Sequence, residues 1–374
     1  CDASKTWFDK LTEGLIQRGF KPSAIDPCLF TKGSLMMLVY VDDCIIIHPD
    51  TTKIDSIIHS LKLDFDLTDE GDIKDYLGVR INKNKDGSVE MIQPKMIERC
   101  LAIVGIPIND PTTTKHDTPS VANKILHRDK KGPLRRQKWN YRAAIGALLY
   151  VAAMTRPDIA YSVHQCARFS ANPKRSHEEA VKRICRYLLA TKDKGLILRP
   201  NFNKGFECYA DADFAGNWCP EDCDDLASAI SRSGYLITFA GCPIVWGSKM
   251  QTLVALSTTE AEIISLSTAT REVITLMNLL NEFKDRGFPI KFSQPVIKCR
   301  VFEDNAAAIE IANNPKLRPR TKHLGIRIHH FRDFVMKKLI TIEYIKSKEQ
   351  LADALTKALP RDQFRYLISQ IMGW

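Results

Sequence analysis

The sequence is short of the features that define several large protein classes. None of its apolar runs approaches the roughly 18–20 residues needed to cross a bilayer; Leu35–Val41 and Cys44–Ile47 are among the longest. No secretory signal opens it, because Cys1–Lys10 is mixed and polar. Eleven cysteines in 374 residues fall far below the density of a disulfide scaffold, which favours free thiols in a reducing compartment. There is no internal repeat and no low-complexity tract, which excludes solenoid and fibrous architectures. The first residue is Cys rather than Met, so the chain is expected to begin inside a longer reading frame.

What remains is globular. The chain is 44% hydrophobic and 26% charged, and its length allows two or three domains. Its net charge of +10 is unevenly spread: residues 1–94 carry −5, and residues 124–199 carry +13. A second basic block, Pro315–Lys338, sets Lys316, Arg318, Arg320, Lys322, Arg327, Arg332, Lys337 and Lys338 against Asp333 alone. Basic surface of this density suits a polyanion, since Lys and Arg displace counterions condensed on phosphates. The plainer alternative is a solvated face of ordinary helices.

Periodicity and turn signals give a coarse map. Helices are expected over 4–19, 51–63, 94–104, 141–154, 157–169 and 174–190, with a polar loop over 111–136. Leu35–Ile47 reads as a hairpin with Asp42-Asp43 at its tip, and 76–81 with 88–92 as a second hairpin. Three strands (206–210, 233–240, 243–249) precede one long helix over 257–285. Then come a strand (297–302), a helix (305–313), a helix (323–338), a strand (340–345) and a helix (348–357). The fold class expected is a multidomain mixture of α/β and α+β.

Four carboxylates occupy awkward positions in the last of these regions. Asp211 follows a strand, Glu262 lies in the first turns of the long helix, Asp304 ends a strand, and Asp353 interrupts the apolar stretch Leu351–Leu355. A buried lone carboxylate is costly, and several that converge repel unless cations join them. Two Mg²⁺ ions about 4 Å apart answer both demands and can clamp the attacking and leaving oxygens of a phosphodiester. Each residue also has an ordinary role open to it: Glu262 at a helix dipole, Asp211 and Asp213 in a turn, Asp304 as a cap, Asp353 paired with Lys357 one turn on.

The stretches Tyr209-Ala210-Asp211-Ala212-Asp213-Phe214-Ala215-Gly216, Ser233-Gly234-Tyr235, Val245–Lys249, Leu256–Glu262, Glu303-Asp304-Asn305, Arg320–His323 and Gln350–Lys357 resemble the ribonuclease H domain of copia-type LTR retrotransposons. That resemblance makes Asp211, Glu262, Asp304 and Asp353 the metal ligands. It implies a five-stranded mixed sheet, two Mg²⁺ ions per site with Mn²⁺ as a substitute, and cleavage of the RNA strand of an RNA–DNA hybrid. Glu260 rivals Glu262, but residues two apart on a helix face different ways, and Glu262 fits the pattern better. Lys316, Arg318, Arg320, Lys322 and Arg327 are expected along the phosphates. His323 is expected as a proton carrier or phosphate contact, or as a plain helix-start residue. Gly325 replaces an acid usual in the family. Cys219 and Cys223, with no His near in sequence, form a weak zinc signal.

Tyr40-Val41-Asp42-Asp43 in its apolar hairpin, with Trp7–Leu11, Asp26–Phe30, Tyr76–Val79, Leu148–Tyr150 and Thr155–Ile159, resembles the reverse transcriptase of the same elements. The resemblance makes Asp42 and Asp43 ligands for Mg²⁺ at a nucleotidyl-transfer site. The family's third palm Asp and its fingers have no match before Asp42, so polymerisation is expected only of the intact polyprotein. The expected organisation is a partial palm (1–93), a basic helical thumb or connection (94–200), a ribonuclease H-like domain (201–361) and a tail (362–374). Expected partners are RNA–DNA hybrid, primer–template and the rest of the Pol polyprotein, with no membrane and an open oligomeric state. Cytoplasmic particles and then the nucleus are the implied location. The rival reading is a non-catalytic nucleic-acid-binding remnant of a decayed element.

Overall fold

A computed structural model describes residues 2–288, 297–314 and 322–374, with the side chains of 2–4 and 322–326 outside the description. The described chain forms two compact units. The smaller comprises Cys1–Ile73 with Ile274–Ile297, and the larger Lys74–Val273 with Lys298–Trp374. These units cut across the blocks bounded at 93, 200 and 361. Strand Val89–Ile92 pairs antiparallel with Leu196–Leu198, so residues 74–93 group with the segment that follows them.

In the smaller unit, strands Lys21–Pro22, Leu29–Lys32, Leu35–Tyr40 and Asp43–Ile47 form one antiparallel sheet in chain order. Leu35, Met37 and Val39 alternate inward, as a half-buried strand requires. They pack with Leu11, Leu15, Phe30, Ile57 and Leu61 beneath helices Asp2–Gln17 and Thr51–Leu61.

The larger unit holds the expected five-stranded mixed sheet. Its order is Cys242–Met250, Arg232–Phe239, Phe206–Asp213, Cys299–Glu303, Ile340–Tyr344. The first three are antiparallel and the last two join in parallel. This order and mix of directions is what the sequence resemblance implies for the last region of the chain, with helix Thr258–Asp285 following the antiparallel strands. A second sheet (Asp75–Tyr76, Val79–Lys83, Val89–Ile92, Leu196–Leu198) lies in the same unit. The strand expected at 76–81 is broken by Leu77-Gly78, both at positive φ, which turn it into a tight hairpin.

Helices Pro94–Ile103, Tyr141–Met154, Ala160–Ala167 and Arg175–Ala190 share one core with the C-terminal segment. Residues 362–374 are therefore no loose tail. Arg361–Met372 is a helix whose Phe364, Leu367, Ile368 and Ile371 are buried, the i, i+3, i+4, i+7 stripe of a docked helix. The helix expected over 348–357 reduces to a 3₁₀ turn and the single α turn Asp353–Thr356. No helix among the described residues is long and apolar enough to cross a membrane.

Candidate active site

Two neighbouring parallel strands deliver the first carboxylates. Phe206–Asp213 and Cys299–Glu303 run in register up to Tyr209 opposite Phe302. The residues just beyond that pair, Asp211 on one strand and Glu303-Asp304 on the other, leave the same end of the sheet. Strand carboxyl ends are where α/β sheets place their ligands. Helix Thr258–Asp285 is pinned to that end, because Ser265 Oγ donates to the Asp211 carbonyl at 2.7 Å. Gln350 Nε2 donates to the Ala210 carbonyl at 2.9 Å and ties on the turn that carries Asp353.

Carboxylate oxygens of Asp211, Glu262 and Asp304 all lie within 4.8 Å of one another. Asp211 is 1% and Glu262 4% exposed, while Asp304 is half-buried. Asp353 is not a member of that trio. It joins Asp211 through Lys357, whose Nζ lies 2.8 Å from Asp353 Oδ1 and 3.2 Å from Asp211 Oδ1. The Asp353–Lys357 pair one turn apart, an ordinary alternative read from the sequence, is thus present, and it sits inside the acidic group. Asp304 is not the cap of the next helix. Asn305 caps it, accepting from the Ala308 amide at 3.0 Å, while Asp304 accepts from Ser347 Oγ at 2.7 Å.

The cluster carries more negative charge than it can hold unaided. Glu303 is fully buried, and among the described residues its Oε2, like Glu262 Oε2, has no hydrogen-bond partner. Burial, then the charges of Glu303, Asp211 and Asp304, push the Glu262 carboxyl up to about 11. Burial first, with Asp211 and Asp304 adding like charge, holds Glu303 well above the carboxylate range. Asp353 is pushed up to about 7 by burial and Asp211, against the pull of Lys357. Buried oxygens left without donors, in a set of hard carboxylates, fit a divalent cation with oxygen ligands.

Glu303, Thr356 and Lys357 were not singled out from the sequence as site residues. Alternation marks Glu303, because Cys299, Val301 and Glu303 are the buried phase of their strand. Thr356 Oγ1 donates to Asp211 Oδ2, a contact that only the tertiary fold creates. Glu260, the rival of Glu262, instead accepts from the Leu256 amide at 2.9 Å and has no place in the trio.

Asp42 and Asp43 stand at the tip of their hairpin as expected. Tyr40 pairs with Asp43 across the two-residue turn Val41-Asp42, and both carboxylates are exposed. Val41 is held at φ +54 and its carbonyl accepts from Trp7 Nε1 at 3.2 Å. Among the described residues the pair belongs to no group of three metal-ligating side chains.

Of the basic residues expected along the phosphates, Lys316, Arg318 and Arg320 lie outside the described residues. Lys322 and His323 open helix Lys322–Met336, but their side chains also lie outside the description. Arg327 is half-buried; its carbonyl accepts from Ser267 Oγ at 3.1 Å. The cysteine loop gains a histidine that sequence distance concealed. His127, Cys219 and Asp222 offer ligand atoms within 4.8 Å of one another, while Cys223 is exposed and outside the group. Asp222 is already engaged by Arg128, whose amide donates to Oδ2 at 2.6 Å.

Residues 1–117 match a family model described as reverse transcriptase (RNA-dependent DNA polymerase). The chain is 32% identical over 382 residues to the retrovirus-related Pol polyprotein from transposon TNT 1-94 of Nicotiana tabacum, covering 99% of this chain and 27% of that protein. It is also 32% identical over 373 residues to the Pol polyprotein from transposon RE1 of Arabidopsis thaliana, covering 99% of this chain and 24% of that one. The chain belongs to the copia-type retrotransposon Pol polyproteins. It spans about a quarter of the length of these two relatives. Among solved structures, the N-terminal ribonuclease H domain of a Mycobacterium tuberculosis protein aligns at 12% identity and a TM-score of 0.28, covering 44% of this Pol chain and 96% of that chain. LC11-RNase H1, solved in complex with an RNA/DNA hybrid, aligns at 15% identity and a TM-score of 0.27, covering 40% and 92%.

Proposed function

We propose that this Pol segment is a divalent-metal-dependent endonuclease that cuts the RNA strand of RNA–DNA hybrids. The observation that carries the reading is the meeting of Asp211, Glu262 and Asp304 within 4.8 Å, from three elements far apart in sequence. The substrate follows from the company the site keeps. A reverse transcriptase copies RNA into DNA, so its product is a hybrid whose RNA strand must be removed before a second DNA strand is made.

Asp211, Glu262 and Asp304, with Asp353 beside them, would hold Mg²⁺ or Mn²⁺. When bound, the ions supply Lewis-acid stabilisation and an acidified water. The residues of the chain do the rest. Thr356 and Lys357 fix both Asp211 oxygens, which sets the direction of its lone pairs. Lys357 keeps positive charge where phosphate oxygens gain negative charge. The basic surface of residues 124–199 and Lys316–Lys338 would follow the duplex by backbone and 2′-hydroxyl contacts rather than base sequence.

Asp42 and Asp43 would serve polymerisation in the intact polyprotein. Among the described residues no third metal-ligating side chain joins them, so this chain given primer–template and nucleotides should show no extension. The deciding experiment is cleavage of a labelled hybrid in Mg²⁺ by the chain and by Asp211→Asn. Cleavage by the first alone supports the nuclease. Equal cleavage, or none by either, removes it.

A further inference from the structure

Away from the acidic site, a cavity of about 430 Å³ with a strongly basic lining lies between the 116–136 loop and helix Arg175–Ala190. His116, Lys124, Arg136, Lys182, Arg183 and Arg186 line it, with Glu178 and Glu179 as the acids. Both acids are committed. Glu178 accepts from Lys182 at 3.0 Å and from the Arg136 amide at 2.9 Å, and Glu179 pairs with Arg175 at 3.1 Å.

Arg183 and Arg186 are left over. They lie three apart on the helix, so they share a face and repel. Among the described residues neither guanidinium has a carboxylate partner, and each has a buried Nε with no acceptor. Arg183 reaches only the Thr118 hydroxyl, at 2.9 Å. Burial first, and then the charges of Arg183 and Arg186, hold the His116 imidazole below its usual value. Guanidiniums left without acceptors are unsatisfied donors, and an anion in the cavity would supply acceptors to the two that line it. Guanidinium forks match the oxygens of phosphate in particular.

We infer that this cavity is a phosphate-binding site, formed by Arg183 and Arg186 with Lys124 and His116 at its wall. The phosphate has two sources in the proposed function on which this inference builds: the backbone or end of a nucleic acid strand, and a free nucleotide.

The test titrates the full chain with inorganic phosphate at constant ionic strength and reads thermal unfolding against a chloride control. Phosphate should raise the unfolding temperature of the wild type. Arg183→Gln combined with Arg186→Gln should lose that increment, with an unchanged circular dichroism spectrum. Lys124 is exposed, so Lys124→Gln keeps the test open if the double variant does not fold, and it should lower the increment. No increment in the wild type, or an undiminished one in the variants that fold, overturns the site.

Two further arms separate the sources, and either positive result supports the site. If nucleic acid is the source, the double variant binds hybrid about tenfold more weakly, with a salt slope smaller by about one per lost contact. If a nucleotide is the source, hybrid binding is unchanged and protection by a nucleoside triphosphate disappears. If hybrid binding and nucleotide protection are both unchanged in the double variant, the site is overturned. Hybrid cleavage is scored separately. A chain that cleaves but gains nothing from phosphate sinks the pocket alone, and one that gains from phosphate but does not cleave sinks the nuclease alone.

Discussion

The ammonium of Lys357 stands 3.2 Å from the carboxylate of Asp211, and it reaches Asp353 as well at 2.8 Å. A cation from the chain's own sequence therefore sits among carboxylates that would otherwise repel. It offsets part of the like charge in the metal-free site, and it links Asp353 to Asp211. Four carboxylates were expected to meet, and the structure brings three of them within 4.8 Å of one another. Three form the group, and the fourth is attached by a salt bridge.

Lys357→Met should expose that role. Removing one partner of a buried charge pair costs about 3–5 kcal/mol, and the 36% exposure of the Lys357 side chain brings this down to about 2 kcal/mol. The loss should appear in chelator and shrink in millimolar Mg²⁺, because a divalent ion can replace the ammonium. Thermal unfolding of wild type and variant with and without metal checks this. Equal destabilisation in both conditions would show that Lys357 merely packs.

Two glutamates two residues apart should behave differently. Glu262→Gln removes a buried member of the trio and should reduce hybrid cleavage by at least about a thousandfold, the scale of losing a group that acts directly on the reacting atoms. Glu260→Gln removes the charge but keeps an oxygen that can accept from the Leu256 amide, and should change stability by under about 1 kcal/mol with cleavage retained. Cleavage rates and urea midpoints of the two variants decide. The opposite pattern would hand the site to Glu260.

Much of this was legible in the sequence, and the failures have physical causes. Helix Tyr141–Met154 has the span that Asn140 and its apolar period define, and the structure shows Asn140 capping it. Asp211, Glu262 and Asp304 stood out as acids in awkward places, but each had an ordinary role open to it, and only the family resemblance joined them into one set. The role of Lys357 was not, since an i,i+4 pair reads the same on a solvated helix as at a metal site. Strand Leu196–Leu198 has three residues and owes its form to pairing with Val89–Ile92, which no local pattern announces. The stripe of Arg361–Met372 is present in the sequence, but a stripe does not say what it packs against.

The pH dependence of metal-free stability follows from the raised carboxyls. Asp353 is raised to about 7 and Glu262 to about 11. Above their ordinary values the folded chain binds more protons at these sites than the unfolded chain. Stability therefore falls as pH rises through that window. In chelator the chain should unfold at a lower temperature at about pH 8 than at about pH 5. Protection by Mg²⁺ should grow over the same range, because the metal needs the ionised forms. Unfolding scans at both pH values, with and without Mg²⁺, measure it. Higher metal-free stability at the higher pH would mean that these acids are already ionised.

Gly234 tests how closely the turn bearing Asp353 must approach the sheet. It sits opposite Asp211, and a Cβ there would lie 2.5 Å from Thr356 Cγ2 and 3.1 Å from the Ala352 carbonyl. The displaced Thr356 is the residue that donates to Asp211. Gly234→Ala should cost about 1–3 kcal/mol by overpacking and lower cleavage at saturating hybrid. Urea unfolding and kcat read the two effects. A variant with wild-type stability and rate would show that the turn has room to move.

Val41 offers a test in the smaller unit. A β-branched residue at φ +54 is a backbone outlier that costs about 1–3 kcal/mol, and the Val41 side chain is 62% exposed, so little burial repays it. Val41→Gly removes the clash and loses about 0.5–1 kcal/mol to backbone entropy. The variant should therefore be at least as stable as the wild type, by up to about 2 kcal/mol, in urea unfolding of the full chain. Strain at the residue before Asp42 would then be a cost that the hairpin tip carries without repayment from burial. A loss of more than about 1 kcal/mol in Val41→Gly would instead mean that the valine side chain contributes packing that its exposure conceals.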